Sequence, residues 1–401
     1  MSILVFEGGL RGKIIMELII HRGTNQIGGC ATEIRTDTTR IFIDLGAELG
    51  DEVSMPLSIE GLSIGKKDCD AIFFTHYHGD HIGLIGTVLQ GIPMYIGKVS
   101  KGIMLIRNSI ANEYNSYMLN ELSTYEAPHP VSIGNITITP ILVDHSAFDA
   151  HMFLMEADGK KILHTGDFRA HGFRGKGLLP ALERYVGKVD ALICEGTTLR
   201  DSNSRSVSEN ELQKEIGKVL RENKYVFFLC PLSNIDRIAS VCSVVPQGKY
   251  CLCDSLQYEI LEYVREVAGN KSNLYKFNKM LYHRKSLDEK MLKQGFCMFV
   301  RGGNPTHRKL MENYLPKGGI IIYSMWEGYK KQKSMHEFLD GFPCIDLHTS
   351  GHADSNTLRT VIDTVSPDTV IPIHTTSPAS FENLISNRRL VLPTDGEIIR
   401  I

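Results

Sequence analysis

Ala71-Ile72-Phe73-Phe74-Thr75-His76-Tyr77-His78-Gly79-Asp80-His81 is the stretch on which the reading of this chain turns. Its apolar opening, bounded by polar residues, has the length and texture of a buried strand. The residues that follow crowd three imidazoles and one carboxylate onto the end of that strand. Neutral nitrogen donors beside an anionic oxygen donor are what borderline ions such as zinc take. One His capping a strand needs no ligand to explain it. Three with an Asp among them do, because ionisable residues seldom crowd beside an apolar run without a partner.

Working outward, Gly28-Gly29-Cys30 and Ile41-Phe42-Ile43-Asp44-Leu45-Gly46 precede the cluster. Downstream, Val143-Asp144-His145-Ser146 ends the alternating stretch Ile136-Thr137-Ile138-Thr139. Met152 to Glu156 and Lys161 to His164 flank Asp158-Gly159, a strong hairpin signal because both turn residues tolerate positive φ. The second hairpin strand leads into Thr165-Gly166-Asp167, and three later segments also place ionisable residues at strand ends: Ala191 to Gly196, Asp346 to Ala353 and Val370 to His374.

His76-x-His78-x-Asp80-His81 is the signature of the metallo-β-lactamase superfamily, and the ordered companions resemble its remaining motifs. The resemblance implies an α/β fold, an αββα sandwich, with Asp44 supporting the metal loop from behind. It implies that His76, His78 and His145 hold one ion, Asp80, His81 and His374 a second, and that Asp167 bridges them. Glu195, His352 and His374 stand in segments resembling the three extra motifs of the β-CASP nucleases, and most closely those of ribonuclease J-like members. Artemis-type DNA nucleases usually carry an apolar residue at the position matched by His374, so RNA is favoured over DNA. The resemblance runs from about residue 16 to 401, and seven ordered motifs make it far more specific than a lone short pattern. One departure is Thr375-Thr376 after His374, where ribonuclease J proteins usually place Gly.

Hydrophobic residues make up 42% of the chain and charged ones 22%, the composition of a globular protein. No apolar run approaches the ~18 residues of a membrane span, and Ser2 to Phe6 is too short for a signal-peptide core, so a cytoplasmic protein without membrane partners is expected. Nine cysteines without paired spacing argue for free thiols in a reducing compartment, and Cys251 and Cys253 read as packing residues. The net charge of −2 conceals an asymmetry: residues 200–345 hold 23 Lys and Arg against 16 Asp and Glu, and the rest 21 against 30. A local basic surface suffices for phosphate affinity, although many single lysines are ordinary solvated charge.

At 401 residues the chain suits two domains or one inserted in another. Met1 to Lys13 contain no motif, the first strand is expected over Ile14 to Ile20, and a helix is expected from near Ile82. Ser208-x-x-Glu211 is a capping-box start, after which Tyr225 to Leu229, Ile235 to Val244, Tyr250 to Cys253 and Leu256 to Ala268 alternate strand and helix. That alternation implies a small parallel sheet covered by helices. Residues 1–198 are therefore expected to form the first part of the metal domain, 199–345 an inserted β-CASP α/β domain, and 346–401 the remainder of the metal domain.

The implied chemistry is RNA phosphodiester hydrolysis at two ions, zinc with manganese as the alternative, through a bridging hydroxide that Asp80 also orients. The resemblance makes His352 the general acid, held cationic by Glu195. Ser233, His348 and Ser350 are candidates for gripping a substrate phosphate, with an ordinary N-cap as the rival for Ser233-Asn234. Trp326 is expected to pack in the core more than to stack a base, and His164 stands near enough to Asp167 to support it. The rivals are a DNA nuclease of the same fold and a thioester or lactam hydrolase, which needs neither the basic insertion nor His352 and His374. A catalytically dead RNA-binding scaffold is disfavoured, because buried metal carboxylates without their ion cost stability. Oligomeric state, natural targets and cleavage mode are not legible.

Overall fold

Ile136 and Ile138 alternate with Thr137 and Thr139, and both isoleucines point into an apolar layer between two seven-stranded sheets. The computed structural model describes residues 16–50, 54–112, 114–199 and 206–401, so the expected arm Met1 to Lys13 lies outside the described residues. The first sheet runs from edge to edge through Ile398–Arg400, Glu17–Arg22, Ala31–Arg35, Arg40–Ile43, Ala71–Phe73, Met94–Gly97 and Ser123–Tyr125. The second runs through Arg389–Leu390, Thr369–Ile373, Ala191–Glu195, Lys160–His164, Ala150–Ala157, Ile136–Val143 and Val131–Ile133. Leu18, Ile41, Phe73, Phe153, Ile193 and Ile371 fill the space between them.

Helix Lys98–Ala111 covers the outer face of the first sheet, while Leu178–Tyr185 and Ser355–Val365 cover that of the second. The fold is thus an αββα sandwich, as expected. The hairpin at Asp158-Gly159 forms with φ of 53° and 80°, pairing Lys160 with Ala157. Parallel pairing sets Lys160–His164, Ala191–Glu195 and Thr369–Ile373 side by side, so their carboxyl ends open at one edge of the sandwich.

A third sheet is wholly parallel, in the order Met280–Tyr282, Tyr250–Cys253, Phe296–Val300, Tyr225–Leu229, Ile320–Tyr323, Cys344–Asp346. Near-continuous apolar strands such as Tyr225-Val226-Phe227-Phe228-Leu229 suit a sheet buried on both faces. Helix Glu209–Glu222 enters this part of the molecule with the capping box of Ser208 and Glu211 in place.

Local expectations shift in three places. The first strand spans Glu17–Arg22, running two residues past the expected end at Ile20, with an irregularity between Ile20 and Arg22, while Ile14 and Ile15 lie outside the described residues. The helix expected from Ile82 is a single turn, Gly79–Ile82, because the Leu84 amide turns away to the Leu45 carbonyl at 3.0 Å. Trp326 is 52% exposed rather than packed, since the preceding strand ends at Tyr323 and carries the indole beyond the sheet. The nine cysteines are free thiols. Among the described residues no helix is long and apolar enough to cross a membrane.

Candidate metal centre

Phe74 and Ile72 anchor the metal loop in the core behind the first sheet, so the chain leaving strand Ala71–Phe73 emerges with fixed direction. Asp44, at φ 61°, then pins it: Oδ1 accepts the Thr75 amide at 2.7 Å, and Oδ2 accepts the Thr75 hydroxyl at 2.8 Å and His81 Nδ1–H at 2.7 Å. Gly46 permits the close approach of the loop, for a Cβ there would fall 1.7 Å from the Asp80 carbonyl oxygen. Cys30 N–H also donates to that carbonyl at 3.1 Å.

The expected ligands converge. Donor atoms of His76, His78 and His145 lie within 4.8 Å of one another, and so do those of Asp80, His81, Asp167 and His374. Asp167 Oδ2 stands between the two groups, 3.1 Å from His81 Nε2, 3.8 Å from His145 Nε2 and 3.9 Å from the Nε2 atoms of His76 and His374. His145 Nδ1 faces the Gly351 carbonyl at 2.7 Å and His374 Nδ1 the Thr197 hydroxyl at 2.7 Å. Those contacts leave each Nε2 aimed at the centre, as ligand histidines are usually oriented.

Electrostatics prepare the same atoms for a cation. Burial, reinforced by neighbouring imidazoles, holds His76 and His145 far below the ordinary histidine range, and burial brings His78 down to about 4. Their ring nitrogens are therefore neutral donors at pH 7. Burial alone would raise Asp80 and Asp167, but His81 and His374 beside them keep both carboxylates well below the usual range. His76 Nε2 and Asp167 Oδ1 are buried without a hydrogen-bond partner among the described residues. Orphaned donors of this kind are costly unless something else satisfies them, and the donor set fits a metal ion.

Glu195 and His352 meet at the rim of this cluster. His352 Nδ1 lies 3.3 Å from Glu195 Oε2 and 3.7 Å from Asp167 Oδ2, though without hydrogen-bond alignment. Burial disfavours the imidazolium, but the Glu195 and Asp167 carboxylates outweigh it and raise His352 to about 9. Glu195 is itself held by the Thr197 hydroxyl at 2.7 Å and by the amides of Phe168, Thr197 and Ala353.

His348 and Ser350 share the loop that presents His352, with His348 exposed and the Ser350 hydroxyl accepting the His352 amide at 3.0 Å. Ser233 does not join them through any side-chain contact among the described residues. It is buried behind the metal loop, its carbonyl accepting the Tyr77 hydroxyl at 2.8 Å, while Asn234 caps helix Ile235–Val244. His164 supports Asp167 at one remove, its Nδ1 accepting the Gly166 amide at 3.0 Å.

Several residues at the centre went unread in the sequence. Thr197 bridges Glu195 and His374, and only its place two residues after Glu195 hints at this. Cys30 brings its thiol within 4.8 Å of donor atoms on His81 and His374. Arg169 and Arg237, both fully buried, share Glu209 at 2.8 and 2.7 Å and donate to the carbonyls of Ser350 and Thr349, bracing the loop beneath His352. Lone charged residues in polar segments carry no pattern that reveals such pairing.

The model of the metallo-beta-lactamase superfamily matches residues 31–218, and that of the Zn-dependent metallo-hydrolase RNA specificity domain matches residues 345–388. Ribonuclease J of Mycoplasma pneumoniae is 24% identical over 402 residues, covering 90% of this chain and 68% of its own. Ribonuclease J of Helicobacter pylori is 21% identical over 418 residues, covering 92% of this chain and 57% of its own. An RNase J-like protein of Methanocaldococcus jannaschii is 27% identical over 242 residues, 57% of this chain and 54% of its own. The chain thus spans between about half and two thirds of these relatives. A crystal structure of a protein of unknown function from Enterococcus faecalis V583 superposes with a TM-score of 0.76 at 20% identity, over 96% of this chain and all of the other, and shows the same fold. With the signature loop, the sandwich and both family models in agreement, this chain carries a metallo-β-lactamase superfamily domain over residues 31–218 and is similar along most of its length to ribonuclease J proteins.

Proposed function

We propose that this chain is a metal-dependent ribonuclease that hydrolyses RNA phosphodiester bonds at a binuclear centre, in RNA processing or decay. The observation that carries the proposal is Asp167 Oδ2, set within 3.9 Å of ligand nitrogens from both groups and 3.7 Å from His352. His76, His78 and His145 would hold one ion and Asp80, His81 and His374 the other, with Asp167 shared. Zinc suits these nitrogen and oxygen donors, and manganese is the alternative. When bound, such a pair makes water a nucleophile near neutral pH and steadies charge on the phosphoryl oxygens.

The protein's own groups supply the rest. Asp80, ionised and facing His374 at 3.2 Å, orients the attacking water. His352 carries a proton held by Glu195 and gives it to the departing sugar oxygen. His348 and Ser350, on the same loop, grip a neighbouring phosphate, whereas Ser233, buried behind the metal loop, takes no part in that grip. Residues 199–345 act as an inserted RNA-facing unit between the two stretches of metal domain, a reading supported by the parallel sheet they build. The RNA specificity description of residues 345–388 and the ribonuclease names of the relatives support RNA as substrate.

Metal-loaded protein should contain two transition-metal ions per chain by elemental analysis. It should cleave single-stranded RNA in preference to matched DNA bearing the same 5′ end. One ion per chain after full loading would refute the binuclear centre. Equal turnover of DNA, or hydrolysis of a lactam or thioester but of neither nucleic acid, would refute the substrate.

A further inference from the structure

Trp326 is the chain's only tryptophan, and its setting differs from that of a stray surface aromatic. Strand Ile320–Tyr323 ends just before it, and its carbonyl accepts both the Tyr323 hydroxyl at 2.9 Å and the Tyr329 amide at 3.1 Å. The indole lies over Gly328: a Cβ built there would come within 2.3 to 2.5 Å of ring atoms Cη2, Cζ3 and Cζ2. Tyr329 meets the indole edge-on, with centroids 5.4 Å apart and an interplanar angle of 85°. The ring is therefore propped from one side and leaves its remaining surface to solvent, 52% exposed. A large apolar ring kept rigid in water has no structural return of its own, which marks it as a contact surface.

Its position points to the partner. Buried Ser324, two residues earlier, donates to the Leu347 carbonyl at 2.6 Å and accepts from Arg237. This ties the turn to the loop that carries His348, Ser350 and His352. Lys331 is exposed on the same turn. An aromatic plane with a cationic side chain on the same turn, tied to the loop that presents His352, is what unpaired nucleic acid requires, since every base offers a π-face and every linkage a phosphate.

We propose that Trp326, braced by Gly328 and Tyr329, is the platform on which one unpaired nucleobase of the substrate strand stacks at the mouth of the metal centre. The inference rests on the ribonuclease reading and names a recognition element for it. It also carries a consequence for substrate form: a base held in a duplex cannot lay its face on the indole, so the platform selects single strands.

The unique tryptophan makes the test direct. Stopped-flow mixing of metal-loaded protein with a single-stranded oligoribonucleotide should quench the indole emission before turnover. An abasic ribose-phosphate strand of equal length and a blunt RNA duplex should leave the emission unchanged. Trp326→Ala should weaken single-strand binding about 5- to 150-fold, the worth of one base–aromatic stack, and leave abasic-strand binding as it was. Trp326→Phe should recover most of the loss, and Gly328→Ala, which forces the indole off its prop, should reduce quenching with the tryptophan still present. Unchanged emission and affinity in a protein that still cleaves RNA would overturn the platform alone. Equal weakening of single-stranded and abasic binding would overturn stacking in favour of a structural role. Failure of the metal-loaded wild type to cleave RNA would instead overturn the ribonuclease reading.

Discussion

On the ribonuclease reading proposed above, the chemistry falls on a few atoms of Asp167, His352 and Glu195. Asp167 reaches toward both histidine groups with one oxygen, so its loss cannot be made good by any single neighbour. His352 depends on a balance, for burial disfavours its charge while Glu195 and then Asp167 restore it and lift the group to about 9. A general acid must keep its proton until the leaving oxygen needs it, so activity should fall on the alkaline side as that proton is lost. Replacing Glu195 by Gln removes the larger of the two attractions and should move the alkaline limb of the kcat profile to lower pH. His352→Ala should slow cleavage by about 10²–10⁴-fold with metal content intact. An unmoved limb in the Gln variant, or a lost ion in the Ala variant, would show that His352 does not act as the acid.

The signature loop is an element built from backbone fit as much as from ligands. Its single helical turn Gly79–Ile82 sits against Cys30, Leu45 and Ala47 through backbone hydrogen bonds of 2.8 to 3.1 Å. Arg22 steadies the two facing loop segments by donating to the carbonyls of Gly29 and Gly46. A methyl group at Gly46 would collide with the peptide of Asp80, so the loop must move and take Asp80 and His81 with it. Gly46→Ala is expected to weaken metal binding by about 10- to 100-fold, the usual effect of disturbing groups behind the ligands, without altering the ligand set. Titration with a competing chelator measures it, and wild-type affinity in this variant would show that the loop has more freedom than its contacts suggest. The hairpin at Asp158-Gly159 and the capping box at Ser208 were legible because each is decided by residues a few positions apart. The extent of the turn after His78 was not, because Leu84 is drawn to Leu45, a partner far off in sequence.

Across the whole molecule, the metal sandwich and the parallel sheet are joined by buried charge as well as by apolar packing. Phe74, Tyr77 and Ile82 of the metal loop share one core with Val226, Phe228 and Ile235, and Glu209 holds Arg169 on one side and Arg237 on the other. Burial would raise the Glu209 carboxyl, but the two guanidinium groups bring it down to about 2. A carboxyl depressed in the folded state contributes stability that is fully present above its ordinary value near 4.5 and is lost as pH falls through about 2. Glu209→Gln leaves the buried Arg237 without its carboxylate and Arg169 with Asp144 alone, and should destabilise the protein by about 3–5 kcal/mol at pH 7, with a flatter loss of stability below pH 4.5 than the wild type. Denaturant unfolding at both pH values measures this, and a change below 1 kcal/mol would mean that water reaches the pair. Excising residues 199–345 would break the same network, so loss of activity in such a truncation reports folding as well as RNA contact. By itself the sequence determined the strand-end clusters and the run of ionisable residues that meet at the centre, because apolar periodicity and donor spacing are local properties written in neighbouring residues, and the sandwich followed from the family that those motifs resemble. Only the tertiary structure decided that Thr197 orients His374, that Cys30 approaches it, that Glu209 pairs two arginines beneath the His352 loop, and that Trp326 stands in solvent. Those facts follow from where strands end and which loops then meet, and such encounters between residues distant in sequence leave no periodic trace in the chain.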